Sequence, residues 1–292
     1  MIFMQLLLNG LIAGSLYALI ASGFSLIYAA TRFVHFAHGS VVALSAYLLY
    51  TTFTILGLPF WLACMVTIIG TACAGSFFFF LVYRPLMRRG SSKVILLIAG
   101  LGLMILIDNA LLLKFGAGVK TIGLLEVTKG VSVFGAIITP LQIVILVVSI
   151  VLLVSLQLFV KKTRFGKKML AVADNPSLAD TTGINATRIQ YAGFAIGSAL
   201  AGVAGILIAL EQHIEPIMGT PLIVKGFTGA VIGGVTSLPG AVLGSYLLGL
   251  VENFGIWFLP SGYKDAIAFI LLLVFLLLRP QGILGIGKGV NK

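Results

Sequence analysis

The stretch RFVHFAHGS sets two imidazoles, His35 and His38, three positions apart, with Arg32 before them and Gly39 after. Histidines at that spacing share a helix face, and metal ligation is the first chemistry to weigh. A zinc site needs three or four ligands, and no nearby Cys, Asp or Glu in the sequence completes one, so no metal is expected. Other catalytic patterns are missing too. There is no HExxH helix, no GxSxG elbow and no GxxxxGKS/T loop to cradle a nucleotide. No catalytic residue and no cofactor held by this chain are expected; any ATPase would be another polypeptide. Three charged side chains remain inside apolar stretches: Asp108 in LMILIDNALLL, Glu252 in LGLVENFG, and Lys225 at the opening of a glycine-rich run. A charge at bilayer depth costs at least about 2.5 kcal/mol, so each should face the bundle interior or reach water near a span end. Each carboxylate is read either as an interhelix hydrogen-bonding group or as part of a solute pathway. Two scattered carboxylates make a poor proton relay.

The elements that must position these groups follow from composition. Of 292 residues, 60% are hydrophobic and 9% charged, against about 25% charged in soluble domains. Several apolar windows reach the roughly 20 residues that cross a hydrocarbon core, and runs such as LLLVFLLL do not alternate as barrel strands do. The fold class is all-α, a polytopic transmembrane bundle forming one domain over 1–292. Candidate spans are 5–29, 39–57, 60–82, 94–113, 138–160, 190–210, 222–237, 240–258 and 265–279, that is eight or nine, with at least one broken or re-entrant. The net charge of +11 lies in loops and tails. Arg84, Arg88, Arg89 and Lys93, then Lys161, Lys162, Arg164, Lys167, Lys168 and Arg188, then Arg279, Lys288 and Lys292, mark three cytoplasmic segments by the positive-inside rule. The N-terminus and 114–137, with Lys114, Lys120 and Lys129 against Glu126, then lie outside. Basic loops facing an anionic leaflet account for the charge without nucleic acid. No Lys or Arg precedes Arg32, so the first segment is expected to stay as a membrane helix. Cys64 and Cys73 would stand about 13 Å apart along one helix, too far for a disulfide.

Glycine is patterned. GSALAGVAG and GAVIGGVTSLPGAVLGSYLLG carry it at spacings that let helix backbones approach in lipid. The run from Gly233 and Gly234 through Ser237 to Gly240 should interrupt a helix, leaving backbone groups that need protein or a polar cavity. AHGSVVALSAYLL and LPGAVLGSYLLG echo each other, as repeats in transporters do. In the loop 161–189, Asn175 suits an N-cap, Pro176 the first helical position and Gly183 the C′ position. The bracketed helix, Pro176 to Thr182, is too short to be stable alone and needs a packing partner.

These residues together resemble a family. LLLNGLIAGSLYALIASGFSLIYAATRFVHFAHGS resembles the amino-terminal signature of the LivH-type branched-chain amino acid ABC transporter permeases. ADNPSLADTTGIN, AGVAGIL, KGFTGAVIGGVTSLPGAVLGSYLLGLVE and YKDAIAFILLLVFLLLRPQGILG follow in that family's order. The likeness runs nearly end to end and is weakest across 110–140. It implies a membrane subunit of an ATP-driven importer, multi-pass in a bacterial or archaeal cytoplasmic membrane. Its implied partners are a second permease subunit (itself or a paralogue), two cytoplasmic ATPases that carry ATP and Mg, an extracytoplasmic binding protein, and lipid. The resemblance implies a substrate pathway along Asn9, Tyr17, His35, Phe36, His38, Gly39, Ser40, Gly233, Gly234, Ser237 and Gly240. It implies ATPase coupling through Asp174, Asn175, Pro176, Ser177, Leu178, Ala179, Asp180, Gly183 and Asn185. His35 stands where the family usually has Asn. Permeases for urea, short amides or nucleosides share this architecture and are the alternative, together with a passive small-solute channel.

Overall fold

A computed structural model of the chain describes residues 2–123, 130–133 and 135–285, with the side chains of Val133, Ser177 and Ser261 left out. Glu126, Lys129, Lys288 and Lys292, which entered the loop-charge comparison, lie outside the described residues.

The first helix, α1 (Ile2–Thr31), is the centre of the bundle: 89% of its most apolar window is buried. An all-round apolar helix that carries Gly10, Gly14 and Gly23 can be packed on every side at backbone distance. After an irregular turn, α2 (Ala37–Leu49) continues as a π-helical segment, Tyr50–Ile55. Helix α3 (Phe60–Phe78) passes through a π-helical turn, Phe79–Tyr83, into α4 (Arg84–Arg88). Helix α5 (Lys93–Phe115) is capped by Ser92, whose hydroxyl accepts from the Ile95 N–H. A hairpin of β1 (Val131–Val133) and β2 (Ala136–Ile138) leads to α6 (Pro140–Lys162), which opens on a Thr139–Gln142 capping box. Then come α7 (Arg164–Asp174), α8 (Pro176–Thr181), α9 (Ala186–Glu211), α10 (Gly219–Gly233), α11 (Leu238–Gly255) and α12 (Lys264–Leu278).

Every predicted apolar window falls on helix, but the expected eight or nine spans are more than the structure supports. Among the described residues, five helices are long and apolar enough to cross a membrane, or six if one bent pair counts as a single span. That pair is α10 and α11, bent by 117° at 234–237. The windows 222–237 and 240–258 are therefore two arms of one bent unit, which hydropathy reads as two spans because both arms are apolar. The predicted break at Gly233–Gly240 is where the bend falls. Helix α9 opens at Ala186, ahead of the predicted 190, because Asn185 caps it by accepting from the Arg188 N–H.

Helices α3, α5 and α6 form an outer ring, with 22%, 33% and 28% of their apolar windows buried. Their exposed faces carry residues such as Trp61, Ile98, Leu113 and Val151, a surface that only lipid or another apolar partner solvates without cost. The bundle has two distinct ends. At one, Gln5 pairs with both backbone groups of Ile137, and Lys120 pairs with Ile214 after α9. At the other, the Arg32 guanidinium donates to the Ala173 carbonyl at the C-terminus of α7. There too, Arg84 donates to the Tyr191 hydroxyl, 3.3 Å away near the start of α9.

Candidate functional site

Two irregular stretches bracket α10. Its N-terminal Gly219 lies against the backbone of Gly39 and Ser40, so closely that a Cβ on either glycine would strike the other chain. Its C-terminal Gly233 meets Gly240 in the same way, and Gly244 packs against Gly229 and Gly233. The tail closes over this second stretch: Ile283 and Leu284 N–H groups donate to the carbonyls of Ile232 and Gly233 at 2.8 and 2.9 Å. Backbone groups freed by the bend are thus met by protein, as a low-dielectric setting demands. Gly234, at φ +111°, holds a conformation that a side chain would strain. Ser237 caps α11 by accepting from the Gly240 N–H at 3.2 Å.

The first stretch, 32–36, runs through the interior. Arg32 adopts φ +59°, the one described non-glycine residue with a positive φ. Phe33, His35 and His38 are buried, and Phe36 is half-buried beside Phe227. His35 Nδ1 is 2.7 Å from the Tyr83 hydroxyl, and its ring lies among Tyr83, Phe194 and His38. His38 packs on Gly23, the glycine that makes room for the ring, near the Ile20 carbonyl. His35 Nε2 and both nitrogens of His38 have no partner within hydrogen-bond geometry among the described residues. Among the described residues, no group of three His, Cys, Asp or Glu could hold a metal there. Ser40, two positions on, donates to Asp108 Oδ1 at 2.6 Å, tying α2 to α5. Asp108 is thereby an interhelix hydrogen-bonding group.

A third polar cluster lies towards the hairpin end. Tyr17 donates to Glu252 Oε2 at 2.9 Å. Lys225 approaches the same oxygen at 3.6 Å and Asp265 Oδ1 at 3.0 Å. Lys264 donates to Asn253 at 3.4 Å. Glu252 is fully buried, and Lys225 on α10 links it to Asp265 on α12, while Glu252 Oε1 has no hydrogen-bond partner among the described residues. The pathway residues expected from the sequence fall at separate places. Tyr17 joins this cluster; His35 and Phe36 lie in the 32–36 stretch, and His38, Gly39 and Ser40 on the first turn of α2 that follows it. Gly233, Gly234, Ser237 and Gly240 form the far bend, and the Asn9 side chain accepts from Gln5 of its own helix. Asp265 and Tyr83 were not legible beforehand. Asp265 opens α12 as an ordinary first-turn acid, and Tyr83 sits in a run of aromatics, so neither carries a spacing signal.

The loop 161–189 is two helices. Helix α7 is amphipathic, with Gly166, Met169 and Val172 buried. Asn175 caps α8 by accepting from the Leu178 N–H at 3.1 Å, and Pro176 takes the first turn. Gly183, at φ +82°, ends it: its N–H donates to Asp180 and that of Ile184 to Ala179, a Schellman closure. Asp180 Oδ1 also accepts from the Ala186 N–H at 3.0 Å, fastening α8 to α9. Ala179 is buried, whereas Asp174, Asn175, Leu178, Asp180, Gly183 and Asn185 are exposed. Ser177 is the second residue of α8, its side chain outside the described residues.

Several membrane-length helices, with a further apolar pair joined at a sharp bend and buried polar groups at irregular backbone, define a multi-pass membrane protein of transporter type. Residues 6–276 match the family described as branched-chain amino acid transport system, permease component, and the chain belongs to that family. It is 38% identical over 296 residues to the high-affinity branched-chain amino acid transport system permease protein BraD of Pseudomonas aeruginosa, covering 97% of this chain and 96% of the relative. It is 33% identical over 298 residues to the corresponding protein LivH of Escherichia coli, with the same coverage. A probable branched-chain amino acid transport permease protein LivH of Methanocaldococcus jannaschii is 30% identical over 297 residues, covering 97% of this chain and 93% of the relative.

Proposed function

We propose that this chain is the membrane permease subunit of an ATP-driven importer for branched-chain or other hydrophobic amino acids. The observation that carries the reading is 38% identity along 97% of the chain to a permease named for that transport. In this reading the chain is one permease domain in a bacterial or archaeal cytoplasmic membrane. It pairs with itself or a paralogue, with two cytoplasmic ATPases that bind ATP and Mg, and with an extracytoplasmic binding protein. It performs no catalysis.

In this reading the coupling runs through α8. A short helix whose exposed face carries Leu178, and whose buried Ala179 and Asp180–Ala186 bond fix it to α9, has the form of a rigid lever. ATP-driven closure of the ATPases would push α8, and α9 would move with it. Helix α7, clasped by Arg32, would carry the same displacement into the 32–36 stretch. The two irregular stretches at the ends of α10 are where backbone can change without breaking regular helix hydrogen bonds. Alternate opening towards the hairpin end and the α7 end would pass the solute across.

The test is uptake by the complex of permeases, ATPases and binding protein in proteoliposomes. ATP-dependent accumulation of labelled L-leucine is expected. Uptake that persists without ATP would identify a channel, and uptake of urea, short amides or nucleosides in place of amino acids would overturn the substrate assignment.

A further inference from the structure

Lys225, on the second turn of α10, is held by groups from three other helices. Asp265 Oδ1 is at 3.0 Å, Glu252 Oε2 at 3.6 Å and the Tyr17 ring centroid at 5.4 Å. Glu252 is fully buried behind it and receives the Tyr17 hydroxyl, so the ammonium is fixed in place. In front of it lies a cavity of about 270 Å³, between α1, α9, α10 and α12. Lys225 and Asp265 line it, and so do the aliphatic side chains of Leu16, Ile208 and Leu222. Drug-sized ligands occupy about 300–1,000 Å³, so this space is on the scale of one small metabolite.

We infer that this cavity binds one aliphatic α-amino acid as its zwitterion. The carboxylate meets Lys225, the ammonium meets Asp265, and the side chain lies against Leu16, Ile208 and Leu222. The inference rests on the proposed function and names the residues that would carry it.

The charge arrangement selects this ligand class. Lys225 and Lys264 balance Glu252 and Asp265. A free cation would face Lys225, and a free anion would face Asp265. A zwitterion adds no net charge and replaces the single Lys225–Asp265 pair with two charge-assisted pairs. Asp265 is 62% exposed and so meets the ligand at the rim, whereas Lys225 is 13% exposed and meets it inside. Gln212 and His213, also lining the space, place that rim at the hairpin end.

The experiment uses the assembled complex and an L-leucine analogue carrying a side-chain diazirine. After illumination, label is expected on peptides that contain Leu16, Ile208 or Leu222. Excess L-leucine should lower it about tenfold, and Asp265→Asn should do the same, the loss matching one charge-assisted pair. Lys225→Met is the deeper probe. Asp265 is exposed, so D265N decides the matter even if K225M fails to assemble. No label on these peptides, or label undiminished in D265N, overturns the inference. Failure of the parent reading registers separately, as absence of ATP-dependent uptake by the wild-type complex.

Discussion

His35 Nδ1 and the Tyr83 hydroxyl lie 2.7 Å apart, both side chains buried, although 48 positions separate them. The bond fixes the irregular 32–36 stretch to the end of the α3 unit. It also explains how an imidazole serves at a position where the family resemblance leads one to expect an amide: the ring offers one nitrogen to the hydroxyl and packs edge-on to Tyr83 and tilted against Phe194.

Removing either partner should therefore cost the other. Tyr83→Phe and His35→Leu are each expected to destabilise the detergent-solubilised protein by about 0.6–1.7 kcal/mol, the range for interhelix polar bonds in membrane proteins. The double variant should lose less than the sum. Unfolding titrations of the four proteins check this; strict additivity would mean the bond contributes nothing.

Helix α8 makes a sharper prediction about coupling. Leu178→Pro deletes the N–H that the Asn175 cap accepts. Uptake should fall at least about tenfold, a loss of 1.4 kcal/mol or more in the coupled step. The permease should stay in the membrane, while ATP hydrolysis should lose its response to the loaded binding protein. Normal uptake and normal stimulation would remove α8 from the coupling path.

Glycine substitutions should split by location. A Cβ at Gly233 would collide with the Gly240 backbone, which cannot swing aside. Gly233→Ala is expected to cost about 1–3 kcal/mol or more. At Gly102, in the middle of α5, nothing lies within 4 Å of the added atom. Gly102→Ala should stabilise by roughly 0.5–1 kcal/mol. Thermal unfolding of both variants is the check, and equal effects would contradict the close packing of the bend.

The buried carboxylates allow a test against ion coupling. Asp108→Asn keeps an acceptor for Ser40, and Glu252→Gln keeps one for Tyr17. In an ATP-driven importer both variants should retain uptake within about tenfold of wild type. Abolished transport in both, with the complex intact, would instead mark the carboxylates as carriers of a coupling ion.

The sequence by itself determined the material and the punctuation. Its apolar windows became helices because a bilayer leaves only helices or closed barrels to satisfy the backbone, and these windows do not alternate as barrel strands do. Asn175, Pro176 and Gly183 bounded α8 because capping is local chemistry, settled within a few residues. The glycine run at Gly233–Gly240 announced a break for the same reason. Hydropathy overcounted spans, since it measures apolarity and is blind to direction; the 117° bend depends on which glycines meet across space. Only the tertiary structure decided that Gly219 rests on Gly39, that Tyr83 reaches His35, and that Lys225 joins Glu252 to Asp265. These pairings link residues far apart in the chain, and no local spacing encodes them. They exist because close packing of the helices brings these residues together from separate parts of the chain.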